Sequence, residues 1–271
     1  MKTVKGLHEK MGTFENANTS FHQAARCKRY TNEVLAFSMV KEEELLRATE
    51  EIQNLTYRQG EYKIFKVFEP KERLIMALPF YDRVVQHMIC NAIQPVFENG
   101  FYYHSYACRS GKGMHAASDT LYQWMYETEV KQGLRMYAFK GDISKYFASI
   151  PHDKLKDENR RYIGDKKALM LMDDIIDHNG ILPDGVGIPV GNLTSQLFAN
   201  VYGNKLDKFC KHVLHIPYFV RYMDDFIILS DDLEQLKEWV KRIEEFLENE
   251  MLLHINPKST ILYAGNGIDF C

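Results

Sequence analysis

At 271 residues, with 45% hydrophobic and 26% charged residues, the chain has ordinary globular composition and can bury a sizeable core as one large domain or two small ones. Its net charge of −3 excludes a wholly basic nucleic-acid binder, and no apolar run approaches the roughly 18 residues that mark a membrane span. The start, MKTVKGLHEK, lacks the apolar stretch of a signal peptide. The five cysteines (Cys27, Cys90, Cys108, Cys210, Cys271) form no CxxC pair, so they read as reduced thiols in a cytoplasm rather than a disulfide frame or zinc site.

Charge is uneven along the chain. Residues 1–41 hold seven Lys or Arg against three Glu, including Arg26, Lys28 and Arg29 of ARCKRY, a solvated face or a nucleic-acid contact. KEEELLRATEEIQ (41–53) carries a helical stripe of Leu45, Leu46, Thr49 and Ile52. EYKIFKVFEP alternates like a strand closed by Pro70, and residues 82–98 and 114–130 read as helices. A strand from Met136 ends at Asp142. LPDGVGIPVGN is a loop on its Pro and Gly content, and LTSQLFANVYGNKLDKFCKHVL is a helix with Ser195 near its start. A strand pair spans 218–230, followed by an amphipathic helix with Leu233, Leu236, Val240, Ile243 and Leu247 on one face, then strands LLHIN and TILYA. This interspersed order, without regular βαβ alternation, is α+β.

Three carboxylates stand out. Asp142 ends one apolar strand, while Asp224 and Asp225 interrupt the apolar run YFVRYMDDFIILS. If those strands are neighbours, the three converge at one sheet edge, where their repulsion needs a cation. Mg²⁺, hard and oxygen-loving, suits that role, and two such ions about 3.5–4 Å apart stabilise the oxygens of nucleotidyl transfer. The bland alternative is a hairpin turn that happens to contain Asp-Asp.

YMDD between apolar strands resembles the most recognisable motif of reverse transcriptases, and the resemblance runs in the family's order over roughly residues 20–271. FEPKERLIMALPFYDRVVQHMICNAIQPVFE and HSYACRSGKGMHAA resemble the two fingers motifs. FKGDISKYFASIPHDKL resembles the palm motif of the first metal-binding Asp, GIPVGNLTSQLFANVY the loop-helix beside the nucleotide, and INPKST and GIDFC the last palm motifs. The resemblance implies a right-hand polymerase fold of fingers and palm, with an antiparallel palm sheet and helices on one face. It assigns 1–135 to an N-terminal extension and fingers and 136–271 to the palm with its YMDD hairpin, part of the fingers coming from 155–190. The chain stops at GIDFC, where the family continues into a helical thumb, so a thumbless chain is expected to be weakly active or inactive alone.

The resemblance also implies roles. Asp142 and Asp224 are expected to ligate two Mg²⁺ ions (Mn²⁺ being a substitute), Asp225 to complete the site, and the Ile143 carbonyl to add a ligand. Phe147 falls where the family keeps an aromatic gate against a 2′-OH, or else simply packs the core. Arg73 and Arg109 are candidates to hold the triphosphate, since guanidinium forks match phosphate; Lys71 and Lys112 are weaker ones. RSGKG lacks Walker A spacing, so ATP hydrolysis is not indicated. Lys258 is a candidate general acid for departing pyrophosphate, although PKST sets it one place before the family's Lys and one strand residue reverses the facing. Tyr222 and Met223 are expected at the primer end, or in the sheet core.

Most reverse transcriptases carry Gln-Gly after the loop proline and Ser-Pro at the helix start. Here the residues are Pro189-Val190-Gly191 and Ser195-Gln196. That pattern resembles the enzymes of diversity-generating retroelements, which miscopy template adenines. Val190 lacks the amide with which Gln would hold the incoming nucleotide, so it is expected to lower fidelity, unless it only packs the loop. Val190, Gly191 and Gln196 therefore join the expected nucleotide site. The partners implied are an RNA template, a DNA or RNA primer, dNTPs and a small basic helical accessory protein, in a bacterial or phage-encoded cytoplasmic enzyme. The alternatives are another bacterial reverse transcriptase, of the phage-defence or group-II-intron type, and a non-catalytic reverse-transcriptase-like RNA-binding protein.

Overall fold

A computed structural model describes residues 3–68 and 72–270; Pro70, Lys71 and Cys271 lie outside the described residues. The chain divides into two interleaved units. The first holds residues up to Gly100 together with His152–Phe198, and the second holds Phe101–Pro151 with Ala199 onward. Residues 101–135 thus cluster with the second unit and 152–198 with the first.

The first unit begins with α1 (Leu7–Met11), α2 (Phe14–Ala24), α3 (Asn32–Met39) and α4 (Lys41–Gln53), the last as its apolar stripe predicts. A two-stranded antiparallel hairpin follows, β1 (Lys63–Val67) with β2 (Arg73–Ala77), then the long helix α5 (Phe80–Glu98). α5 buries Val84, Val85, Met88, Ile89, Ile93 and Phe97, and packs against α1, α2 and α3. The unit is completed by α8 (His152–Tyr162) and α9 (Lys166–Asp177). One carboxylate joins its two sequence segments. Asp165 Oδ1 caps α9 by accepting from the amides of Lys167 and Ala168, while Oδ2 accepts from the amides of Leu7 and His8 in α1. Burial opposes that charge, but the four amide donors outweigh it and hold the Asp165 pKa below its ordinary value.

The second unit contributes α6 (Met114–Met125), which runs on through a wide-turn segment to Lys131, then β3 (Tyr137–Asp142) and the short α7 (Tyr146–Ser149). Helix α10 (Leu193–Lys208) is divided between the units after Phe198; β4 (Tyr218–Tyr222), β5 (Asp225–Ser230), α11 (Leu233–Phe246) and β6 (Thr260–Tyr263) close the chain. The sheet is antiparallel in the order β4-β5-β3-β6. Its strands alternate. Val220, Ile227, Leu229 and Ala138 form one buried cluster with Ala117 and Leu121 of α6, and the intervening Phe219, Phe226, Ile228 and Phe139 are buried too.

LLHIN departs from the expected strand. Leu252 adopts φ 52°, outside the extended region, and Pro257 has no amide to continue a ladder; among the described residues the segment forms the single bridge Ile143–Ile255.

Candidate active site

The register of the central strands assembles the carboxylates. Asp142, the last residue of β3, lies directly opposite Asp225, the first residue of β5, which in turn faces Tyr222 of β4. Opposed residues of antiparallel strands share a face, so Asp142, Asp225 and Tyr222 sit on one face at one end of the sheet. Between β4 and β5 the chain reverses in two residues, Met223 and Asp224. The Asp224 carbonyl accepts from the Ile143 amide at 3.1 Å, tying the turn to the residue after Asp142.

Close approach behind the turn is possible because residue 141 is glycine: a Cβ there would lie 2.4 Å from the Phe226 ring. Met223, 7% exposed, has φ 58°, a conformation uncommon for a non-glycine residue.

Asp142 is held from the INPKST segment. Its Oδ2 accepts from Asn256 Nδ2 at 2.7 Å, its carbonyl accepts from the Asn256 amide at 2.7 Å, and its own amide donates to Ser259 Oγ at 3.0 Å. Lys258 has an exposed side chain, and its amide donates to Asn256 Oδ1 at 3.1 Å. The residues of this motif that hydrogen-bond Asp142 are therefore Asn256 and Ser259, and Asn256 is the one that reaches its carboxylate. Phe147, half-buried in α7, meets the Tyr146 ring edge-on with centroids 5.9 Å apart.

Arg109 also belongs to the second unit, where its Nη1 donates to the carbonyls of Tyr102 and Ser105 at 2.8 and 2.7 Å. It pins the loop that runs beside β4, in which the Arg221 amide donates to the His104 carbonyl and the Tyr106 amide to the Arg221 carbonyl. Lys112 stands 3.5 Å from the Tyr103 ring centroid. Burial lowers the His104 pKa to about 4, helped by Lys112 and Lys211, and its Nδ1 lies 2.9 Å from the Tyr106 hydroxyl.

That depressed value has a consequence for acid stability. An unfolded histidine takes up a proton near pH 6.5, whereas folded His104 resists until about pH 4, so acid favours the unfolded chain across that window. Stability is expected to decline from about pH 6.5 to 4, and less steeply in His104→Gln, as read by urea midpoints at each pH.

The remaining candidates lie in the first unit. Arg73 opens β2 opposite Val67 and is exposed. The Val190 carbonyl accepts from the Met76 amide at 3.1 Å, which anchors the loop to β2. Gly191 has φ 116°, and a Cβ there would meet Ile75 at 3.2 Å, so both conformation and space call for glycine. Asn192 Nδ2 donates to the Tyr62 hydroxyl at 3.0 Å. Gln196 lines a polar cavity of about 150 Å³ with Lys28, Arg83 and His87. The basic cluster thus contributes Lys28 to a concave surface, and burial together with Lys28 lowers the His87 pKa.

Sequence reading missed a fully buried ion pair behind the turn, Arg221 with Asp207. Burial opposes the charge on Arg221, but the Asp207 carboxylate outweighs it and holds the guanidinium above its ordinary pKa. The available signal was an arginine at an inward strand position in YFVRYMDD.

Carboxylate oxygens such as those of Asp142, Asp224 and Asp225 are donors that suit a hard divalent cation. Among the described residues no group of three or more His, Cys, Asp or Glu side chains is gathered to hold a metal ion. Further ligands would have to be main-chain, water or phosphate oxygens, the set Mg²⁺ ordinarily takes.

Residues 66–270 match the model of the reverse transcriptase (RNA-dependent DNA polymerase) family. The chain belongs to that family. It is 25% identical over 235 residues to protein YkfC of Escherichia coli, covering 70% of this chain and 59% of YkfC. It is 29% identical over 137 residues to an uncharacterised 91 kDa protein in the cob intron of Schizosaccharomyces pombe, covering 49% of this chain and 16% of that protein. The chain thus spans less than two thirds of the length of either relative. Among solved structures, telomerase from Candida tropicalis, truncated from its C-terminal domain, aligns with a TM-score of 0.57 at 14% identity, over 79% of this chain and 52% of that one. Candida albicans telomerase bound to a fragment of telomeric RNA aligns with a TM-score of 0.58 at 11% identity, over 80% and 46%. These likenesses concern the fold: a mixed helical and antiparallel-sheet architecture of fingers and palm.

Proposed function

We propose that this protein is an RNA-directed DNA polymerase of a diversity-generating retroelement, in which a primer 3′-hydroxyl attacks the α-phosphate of a dNTP paired to an RNA template. The observation that carries the polymerase reading is the register that sets Asp142 opposite Asp225, with Asp224 in the adjoining turn. Asp142 and Asp224 would hold the divalent metal, Mg²⁺ by the hardness of the donors, with Asp225 beside them. Bound there, the metal supplies charge stabilisation for the attacking and leaving oxygens. The protein's own residues do the rest: Asn256 orients the Asp142 carboxylate, and Phe147 would select the deoxyribose. Arg73, exposed on its hairpin, would meet phosphate, and Arg109 supports the loop beside the turn. Tyr222 and Met223 would face the primer end, with an RNA or DNA primer and an accessory basic protein as partners.

The retroelement assignment rests on Val190. Its main chain anchors the loop to β2 through the Met76 amide, and its side chain is half-buried. Valine offers no hydrogen bond where an amide would hold the nucleotide, and one such bond is worth about 1 kcal/mol, several-fold in discrimination. The test copies an RNA template from an annealed DNA primer with Mg²⁺ and sequences the product. Errors concentrated opposite template adenines, and reduced several-fold in Val190→Gln, are expected; an unchanged error spectrum in Val190→Gln contradicts the role of Val190.

A further inference from the structure

Arg221 lies two residues before Met223, yet it does not share a face with the carboxylates. Opposite Phe226 in the register, it points to the other side of the sheet, where its side chain is 0% exposed. There its guanidinium meets helix α10 and the loop before α6. Nε and Nη2 donate to the two Asp207 oxygens at 2.6 and 2.8 Å, and Nη2 also reaches Ser105 Oγ at 3.0 Å. Nη1 lies 3.4 Å from Asn200 Oδ1 and donates to the Met223 carbonyl at 2.9 Å.

Helix α10 is shaped to admit this group. A Cβ on Gly203 would lie 2.6 Å from Nη1 and 2.9 Å from the Tyr146 hydroxyl, so the helix forgoes a side chain where the guanidinium enters. A buried ion pair as such needs no partner in the turn, and an apolar pair of similar volume often serves a fold equally well. What the pair adds here is the bond to Met223. That residue holds φ 58°, a conformation that persists only where its surroundings over-determine it. Its carbonyl is fixed by Arg221 from one side of the sheet, and the next carbonyl, that of Asp224, is fixed by the Ile143 amide.

We propose that Arg221, oriented by Asp207, is a positioning residue for the metal-binding turn: its fork fixes the Met223 carbonyl and with it the direction in which Asp224 is presented. This rests on the polymerase reading of the turn. Arg221 touches no reacting atom; it acts through the main chain.

The test compares the wild type with the apolar pair Arg221→Met/Asp207→Leu and with Arg221→Lys, which retains a charge for Asp207 but lacks the planar fork. Three quantities are read: the melting temperature, amide hydrogen exchange along residues 218–230, and kcat and KM for dNTP in primer extension. In the apolar pair the fold is expected to persist while exchange at 223–226 rises by about tenfold and protection at 227–229 is kept. Its kcat should fall by about tenfold or more with KM for dNTP nearly unchanged, because a displaced group costs rate rather than binding. Arg221→Lys should show the same localised loosening in milder form, and it decides the question if the apolar pair fails to fold. Exchange at the turn that is unchanged, or that rises uniformly along 218–230, overturns the proposal, as does a wild-type kcat in a folded apolar pair. Should the wild type neither extend a primer nor bind dNTP with added Mg²⁺, the polymerase reading fails, and the exchange pattern still decides whether Arg221 positions the turn.

Discussion

Asp142→Asn is expected to lower primer extension by on the order of a thousandfold while leaving the fold intact. The substitution keeps size and shape, and the Asn side-chain carbonyl can still accept from Asn256 Nδ2, which bonds Asp142 Oδ2 at 2.7 Å. What is lost is one negative charge at the end of β3, opposite Asp225. A cation held there, as proposed, would contribute several kcal/mol of transition-state charge stabilisation, and about 4 kcal/mol corresponds to that loss of rate. Removing a carboxylate from a crowded edge also relieves repulsion. The melting temperature of Asp142→Asn without metal should therefore equal or exceed that of the wild type. A large fall in both activity and melting temperature would assign Asp142 a structural part instead.

The second large effect is on stability. Asp207→Ala leaves the Arg221 guanidinium buried with its principal counter-charge gone, and breaking a buried pair in this way costs about 3–5 kcal/mol. Against a total of roughly 5–15 kcal/mol, that is a substantial share, and it should lower the melting temperature by about ten degrees. The loss should be centred on the second unit, to which Asp207, Asn200, Ser105 and Arg221 all belong. Arg221→Met added to Asp207→Leu should recover most of the stability lost by Asp207→Ala, since nothing charged is left buried. Urea unfolding of the variants measures both effects. A loss below about 1 kcal/mol for Asp207→Ala would mean that water reaches the pair.

Much of this site was legible in one dimension because its parts are local. YMDD between apolar runs fixes a hairpin with its acids at the tip, and Asp142 at the end of an alternating segment follows from the same reasoning. The convergence of the two was conditional on the strands being neighbours, and the β3–β5 register meets that condition. The stripe at Leu45 and Ile52 specified α4 to the residue.

What stayed hidden depends on distance in sequence. Arg221 and Asp207 come from a strand and a helix, and only their packing shows that an arginine inside an apolar run has a partner. Gly203 reads as a weak point in a helix until the guanidinium beside it is seen. In INPKST the lysine carries the charge, yet the bond to the Asp142 carboxylate comes from the neutral Asn256, whose short amide reaches it while the Lys258 side chain is exposed. The return of 152–198 to the first unit likewise has no local sign in the sequence. Its anchors, Asp165 on the α1 amides and Val190 on Met76, join residues more than a hundred positions apart.

The proposed catalysis of DNA synthesis on RNA by the carboxylates at the end of β3 and in the β4–β5 turn is tested most directly by extension of a DNA primer annealed to an RNA template, at low salt with Mg²⁺, by the wild type beside Asp224→Asn. The expected result is Mg²⁺-dependent extension by the wild type that the variant abolishes. Wild-type protein that neither extends the primer nor binds dNTP with added Mg²⁺, or extension that survives in Asp224→Asn, would contradict it.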